Sequence, residues 1–390
     1  MTVNSLYERL SPTVRDIPAS GIRRFFDLAN EMEDVISLGV GEPDFVTPWH
    51  VREACMYALE RGFTTYTSNR GLPELCQAIA EYLEKFQLQY DPDQELMVTV
   101  GGSEAIDIAF RTLICPGDEV LLPEPTYVSY RPCALLAGAR VVDVPTRAED
   151  QFRLTAAELE KHITPASKVL VICYPNNPTG TIMTKADLEA IAEVAIAHDL
   201  FVISDEIYAE LTYGQKHFSI ASIPGMKERT VVISGMSKAF AMTGWRLGYA
   251  AAPKEILNSM LKIHQYTMLC APHMVQMAAL EALRNGETEK QRMIESYDQR
   301  RRLIVNGFQE IGLACHEPEG AFYAFPDIRA TGLTSEAFAE GLLRHEKVAV
   351  VPGSVFGSTG EGFIRCSYAT SVEQIQRALA RMGRYMQTIC

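Results

Sequence analysis

Between residues 96 and 250 the chain switches repeatedly between two hydrophobic periods, and this alternation limits its possible folds more than any other feature. Short runs rich in β-branched residues, "LMVTV", "EVLLP", "ARVVDVP", "KVLVICY", "LFVISD" and "RTVVISG", read as strands. Stretches with helical spacing, among them "SEAIDIAFRTL" and "KADLEAIAEVAIAHD", separate several of them. Continuous apolar strands alternating with helices imply an α/β fold, a mostly parallel sheet with helices on both faces. A long helical stretch follows over about 254–312, and then the character changes: "GAFYAFPDI", a helix at 334–344, "VAVVPGSVF", "GFIRCSYA" and a final helix. That tail reads as a smaller α+β domain to which the N-terminal segment contributes. The expected division is 1–45 as an arm and part of the small domain, 46–285 as the large domain and 286–390 as the small C-terminal domain.

In such a sheet, ligands sit beyond the carboxyl ends of the strands. After "LMVTV" comes "GGSEAIDIAF", in which two glycines open a helix and aim free N–H groups and the positive dipole end at one point, a phosphate cradle or an ordinary turn. After "KVLVICY" comes "PNNPTG", with Asn177 before Pro178, a context that allows a cis peptide or a plain turn. After "LFVIS" comes Asp205, with Tyr208 three residues on; a carboxylate there is a helix cap or the partner of a buried cation. After "RTVVIS" comes "GMSKAFAMTGWRLGY", where Lys238 lies among apolar and small residues and Arg246 follows. A lysine in an apolar pocket has a lowered pKa and a nucleophilic neutral amine, and an arginine suits a bidentate phosphate contact. A phosphate cradle, a cation, a buried carboxylate and an amine at successive strand ends are together what pyridoxal phosphate requires.

Composition narrows the partners. A net charge of −13 argues against nucleic acid and anionic membrane surfaces, which need clustered Lys and Arg. The nine cysteines are scattered, form no CxxC and show no zinc spacing with histidine, so they read as reduced, mostly buried thiols. The opening "MTVNSLYERLSPTVRD" has no apolar run of signal type, and a cytoplasmic, soluble protein is expected.

With these residues in place, the chain resembles the class I/II, fold-type-I pyridoxal-phosphate aminotransferases from "SLGVGEPDF" through "YPNNPTG", "SDEIY" and "SKAFAMTGWRLGY" to "GFIRCSY". It looks most like the aromatic and broad-range branch. The resemblance implies that Lys238 bonds to the cofactor aldehyde, Asp205 pairs with the pyridine nitrogen, and Asn177 and Tyr208 bond the 3′-oxygen. By the same resemblance Tyr127 stacks on the ring, and Gly102, Ser103, Ser237 and Arg246 hold the phosphate. Arg365, Asn177 and the Gly41 backbone take the substrate carboxylate. Tyr66 reaches the phosphate of a neighbouring subunit, so the resemblance implies a homodimer acting on amino acids and 2-oxo acids such as 2-oxoglutarate.

Two departures stand out. The family's phosphate-binding serine three residues before the lysine is replaced by Gly235, leaving Ser234 or Ser237 for that role. The segment "KIHQYTMLCAP" offers His264, Tyr266 and Thr267 but no arginine for a side-chain carboxylate, which favours an aromatic or broad-range donor over aspartate. Arg23 and Arg24 could line an N-terminal lid or simply be solvated. The alternatives are an aspartate-type or N-acetyl-diaminopimelate aminotransferase, or a carbon–sulfur β-lyase on the same scaffold. A non-enzymatic regulator of this fold fits poorly, as does a nicotinamide dehydrogenase, whose GxGxxG fingerprint is missing.

Overall fold

The computed structural model describes residues 6–19, 21–22 and 32–389. Its strands are β1 (Ile36–Ser37), β2 (Leu96–Thr99), β3 (Glu119–Glu124), β4 (Arg140–Pro145), β5 (Ser167–Cys173), β6 (Phe201–Asp205), β7 (Thr230–Gly235), β8 (Gly248–Ala251), β9 (Tyr323–Ala324), β10 (Val348–Ala349), β11 (Val351–Pro352) and β12 (Ile364–Ser367). Seven form one sheet in the order β2-β8-β7-β6-β5-β3-β4. All six strands expected from the sequence are present. The seventh, β8, lies between β2 and β7 and runs antiparallel to both. It escaped the strand pattern because "GYAA" has no β-branched residue; its small side chains let it fit between two neighbours.

Alternation along β3 shows how both faces are buried. Val120 and Leu122 pack with Ile106, Phe110 and Leu257 on one side. Leu121 packs with Leu170, Leu188 and Ile191 on the other. Each such side chain contributes about 1.5–3 kcal/mol by leaving water, so the sheet's position is strongly determined. The helix Lys185–Ala197 begins at a capping box: Thr184 Oγ1 accepts from Asp187 N–H at 3.2 Å, while Asp187 Oδ2 accepts from Thr184 N–H at 2.8 Å.

The helical stretch read over 254–312 is three helices, Lys254–Thr267, His273–Asn285 and Glu287–Glu310. Pro272 and Gly286, at the N-caps of the second and third, divide it. Beyond them β11, β12 and β9 form an antiparallel sheet, and β1 pairs in parallel with β10, so residues 36–37 join residues 348–349. Leu38 N–H also donates to Ala349 O, and Ser367 N–H to Leu38 O, which stitches the early chain onto the late chain. Among the described residues the cis peptides are Glu124–Pro125 and Tyr174–Pro175, not Asn177–Pro178. The described cysteines are free thiols, and Cys390 lies outside the described residues, as do Arg23 and Arg24. No helix among the described residues is long and apolar enough to cross a membrane.

Candidate active site

A cavity of about 650 Å³ opens over the carboxyl ends of the parallel strands, and Gly41, Gly102, Ser103, Tyr127, Asn177, Asp205, Tyr208, Ser237, Lys238, Arg246 and Arg365 line it, while Tyr66, Ser234, His264, Tyr266 and Thr267 do not. Tyr66 is 82% exposed. The lining combines three cations, Lys238, Arg246 and Arg365, with the carboxylate of Asp205.

Each comes from a strand end for a local reason. Gly101 precedes the helix Gly102–Leu113 at φ +79°, a backbone conformation open to glycine, and a Cβ there would stand 2.5 Å from Arg246 Nη2. The guanidinium therefore lies against the helix N-terminus, with Nη1 donating to Thr243 O at 2.9 Å. Gly102 and Ser103 open onto the same spot, so backbone N–H groups, a helix dipole and a guanidinium converge there. Ser237 is buried and lines the cavity. Ser234 points the other way, donating to Glu206 O at 3.1 Å. At Gly235 a Cβ would meet Gly248 Cα and Leu247 O at 2.8 Å each, so a serine there would force the neighbouring backbone to shift.

Asp205 ends β6, 5% exposed. Burial pushes its carboxyl up, while the Tyr130 hydroxyl, donating to Oδ2 at 2.7 Å, and the Ile207 N–H, donating to Oδ1 at 3.1 Å, hold it down. It makes no ion pair among the described residues. A buried carboxylate without a cation is costly, and a protonated ring nitrogen would relieve that cost. Lys238 Nζ donates to Gly41 O at 2.7 Å and lies 5.8 Å from the centre of each of the Tyr208 and Phe322 rings. Burial, with the nearby cations Arg365 and Arg246 adding to it and Glu42 opposing, brings its pKa down to about 8.

Arg365 on β12 is 2% exposed and also makes no ion pair among the described residues. Its Nη1 donates to Asn177 Oδ1 at 2.9 Å, its Nη2 to Gly39 O at 2.6 Å, and its Nε has no partner. Tyr323 and Phe356 rings flank it at 4.5 and 4.9 Å. This is a desolvated cation with an N–H left over, an arrangement that an anion would satisfy. With Asn177 Oδ1 taken, the amide's donor side is the part that can serve a cofactor oxygen. Tyr208 shares a 2.7 Å hydrogen bond with Tyr323, and Tyr127 meets Tyr130 edge to face at 5.5 Å.

Tyr130 and Tyr323 are two lining residues with polar contacts that the sequence reading did not single out. Tyr130 lies three residues after Tyr127 and Tyr323 within "GAFYAFPDI", but nothing in the sequence distinguishes a tyrosine touching Asp205 or Tyr208 from one filling the core. His264 moves the opposite way. It is 0% exposed and bonded to Glu104, so it cannot face a substrate, whereas Tyr266 is 91% exposed.

The glycine-lined anion cradle, the unpaired Asp205 carboxylate, the low-pKa Lys238 amine and the open Arg365 guanidinium fit pyridoxal phosphate carrying an amino-acid substrate. The family pattern described as "Aminotransferase class I and II" matches residues 33–382. The putative aminotransferase YugH of Bacillus subtilis is 59% identical over 378 residues, 97% of this chain and 98% of that protein. An aspartate aminotransferase of Pyrococcus abyssi is 49% identical, over 94% of this chain and 96% of its own length. The crystal structure of an aromatic aminotransferase from Pyrococcus horikoshii superposes with a TM-score of 0.90 at 46% identity, covering 94% of this chain and 99% of that one. The chain belongs to the class I and II aminotransferases and is an aminotransferase with pyridoxal phosphate as its cofactor.

Proposed function

We propose that the enzyme moves the α-amino group of an L-amino acid with an aromatic or other apolar side chain to a 2-oxo acid such as 2-oxoglutarate, working as a cytoplasmic homodimer. The observation that carries this reading is Arg365, a buried guanidinium whose Nε has no partner and which a carboxylate would satisfy. The other two cations of the cavity have work at the cofactor, Lys238 at its aldehyde and Arg246 at its phosphate. Among the described lining residues no cation remains for a second substrate carboxylate, while Ile22, Val128 and Tyr127 offer apolar surface.

When bound, pyridoxal phosphate supplies the electron withdrawal that makes the substrate Cα–H bond acidic. Gly102, Ser103, Ser237 and Arg246 hold its phosphate. Asp205 keeps a proton on the ring nitrogen, with Tyr130 and the Ile207 N–H orienting the carboxylate. Arg365 grips the substrate carboxylate by its planar fork, with Asn177 and Gly39 fixing the guanidinium. A carboxylate so gripped stays with the substrate, which favours loss of the Cα proton over loss of CO2. Lys238 Nζ, with a pKa near 8, is a neutral base at mildly alkaline pH and takes that proton.

Tyr66 and the exposed apolar side chains of Trp49, Val46, Met268 and Tyr266 support a second copy completing the site. We also read residues 46–285 as a cofactor-binding domain and 286–390, with the N-terminal segment, as a smaller one. A panel of amino donors with 2-oxoglutarate tests the substrate reading. Phenylalanine or tyrosine should exceed aspartate in kcat/KM at least tenfold, and the reverse order would overturn it. Pyruvate and ammonia released from cystathionine without an acceptor would instead identify a lyase.

A further inference from the structure

Below the anion cradle lies a buried pair that the chemistry does not use. Glu104, in the first turn of the helix Gly102–Leu113, is 8% exposed, and His264, in the last turn of the helix Lys254–Thr267, is 0% exposed. His264 Nδ1 and Glu104 Oε1 are 2.5 Å apart. The other carboxylate oxygen, Oε2, accepts from Val100 N–H at 2.5 Å. His264 Nε2 has no partner, so the ring's one polar contact is the glutamate. Burying two ionisable groups costs free energy unless further hydrogen bonds satisfy them, and the side-chain bond this pair makes beyond itself is the one to Val100 N–H.

What it holds is the turn Val100–Gly101–Gly102–Ser103. Val100 N–H is the amide at the start of that turn, beyond the last residue of β2. The turn is pinned on its other sides too. Thr99 Oγ1 donates to Gly101 O at 3.0 Å, Gly248 packs so close that a Cβ on it would stand 2.5 Å from Gly102 N, and Arg246 crowds Gly101. The glutamate is an odd choice for a merely structural acceptor. A carboxylate suits a helix N-terminus, but here it lies within one turn of the place where a phosphate dianion is to bind, and like charges repel. An apolar side chain would avoid that repulsion and would leave the turn's first amide unpaired.

We infer that Glu104 and His264 are positioning residues for the phosphate cradle: His264 fixes the Glu104 carboxylate, and Glu104 fixes the backbone turn whose N–H groups meet the phosphate. The inference rests on the reading of Gly102, Ser103 and Arg246 as the phosphate site. Its signature is selectivity for the phosphate rather than for the ring or the substrate.

Apoprotein is titrated with pyridoxal phosphate and with pyridoxal, which lacks the phosphate, and binding is followed by the absorbance of the covalent adduct at Lys238. Glu104→Leu and His264→Leu remove the acceptor and its clamp. Glu104→Gln keeps an acceptor for Val100 N–H, and His264→Asn keeps a donor near the place of Nδ1. Both leucine variants should bind pyridoxal phosphate at least tenfold more weakly and pyridoxal within twofold of wild type, while the glutamine and asparagine variants stay within threefold for both ligands. Leucine variants that bind pyridoxal phosphate like wild type, or lose both ligands equally, overturn the inference. So do leucine variants that yield no folded apoprotein, since the pair would then serve the core as a whole. A wild-type protein that binds both ligands equally well would instead refute the phosphate site, a separate failure.

Discussion

Replacing Arg365 with lysine keeps the charge and removes the fork. In the structure the guanidinium spends two donors on Asn177 Oδ1 and Gly39 O and leaves Nε without a partner, the donor side that the proposed substrate carboxylate would take. Lysine has three donors on one atom, so it cannot hold those acceptors and also grip a carboxylate in the same plane. A charge-assisted hydrogen bond contributes about 1.5–3 kcal/mol, and the lost fork removes at least one such bond together with part of a second. The expected loss in kcat/KM is therefore about 2–4 kcal/mol, roughly 30- to 1,000-fold. The assay is the first half-reaction under single-turnover conditions, followed by the spectral change of the cofactor. Phenylalanine is compared with 2-phenylethylamine, which has the same ring and amine but no carboxylate. Wild type should react far faster with phenylalanine, and Arg365→Lys should lose that advantage while reacting with the amine at the wild-type rate within threefold. Equal losses for both compounds would mean that Arg365 supports the site rather than holding the carboxylate, and the argument would fail.

Further outcomes follow from the same geometry. Gly235→Ser, which restores the family's usual residue, should destabilise the protein by about 1–3 kcal/mol in thermal or urea unfolding because its Cβ meets the β8 backbone, without tightening cofactor binding. Lys238 has its pKa lowered from 10.5 to about 8, so below pH 8 the folded apoprotein carries a disfavoured charge, and between 8 and 10.5 it binds fewer protons than the unfolded chain. Apoprotein stability should accordingly rise with pH through that window. Lys238→Met should be more stable than wild type at pH 7, by at most about 3.5 kcal/mol at 1.4 kcal/mol per pKa unit, with the difference fading towards pH 10.5; a constant difference would contradict the shift. In sedimentation the protein should run at twice the 43.3 kDa of one chain, and Trp49→Glu, which places a charge on the exposed apolar face, should yield monomer with reduced activity.

The six strands expected from the sequence and the groups at their ends, from Gly102 and Ser103 to Lys238 and Arg246, were legible because both depend on local chemistry, whereas Tyr127, Gly41, Ser237 and Arg365 were reached only through the family resemblance. A run such as "KVLVICY" is buried on both faces whatever its neighbours, and a parallel sheet exposes its ligand-binding residues where each run ends. Lys238, Asp205 and Asn177 are conspicuous because a charge or amide directly after an apolar strand has no local partner. Partners distant in the chain were not legible. That Arg365 meets Asn177, 188 positions earlier, and that Tyr130 caps Asp205, 75 positions later, depends on how the strands and helices pack. The short strand β8 has almost no pattern of its own and takes its place from the edges it fits between. His264 shows the limit most clearly. Its residue type suggests a substrate contact, but helix packing buries it against Glu104, and a side chain's solvent exposure depends on what the rest of the chain lays over it. The sequence by itself determined which groups a ligand would need and at which strand ends they stand; tertiary packing decided which are desolvated, which are left unpaired and therefore which can react.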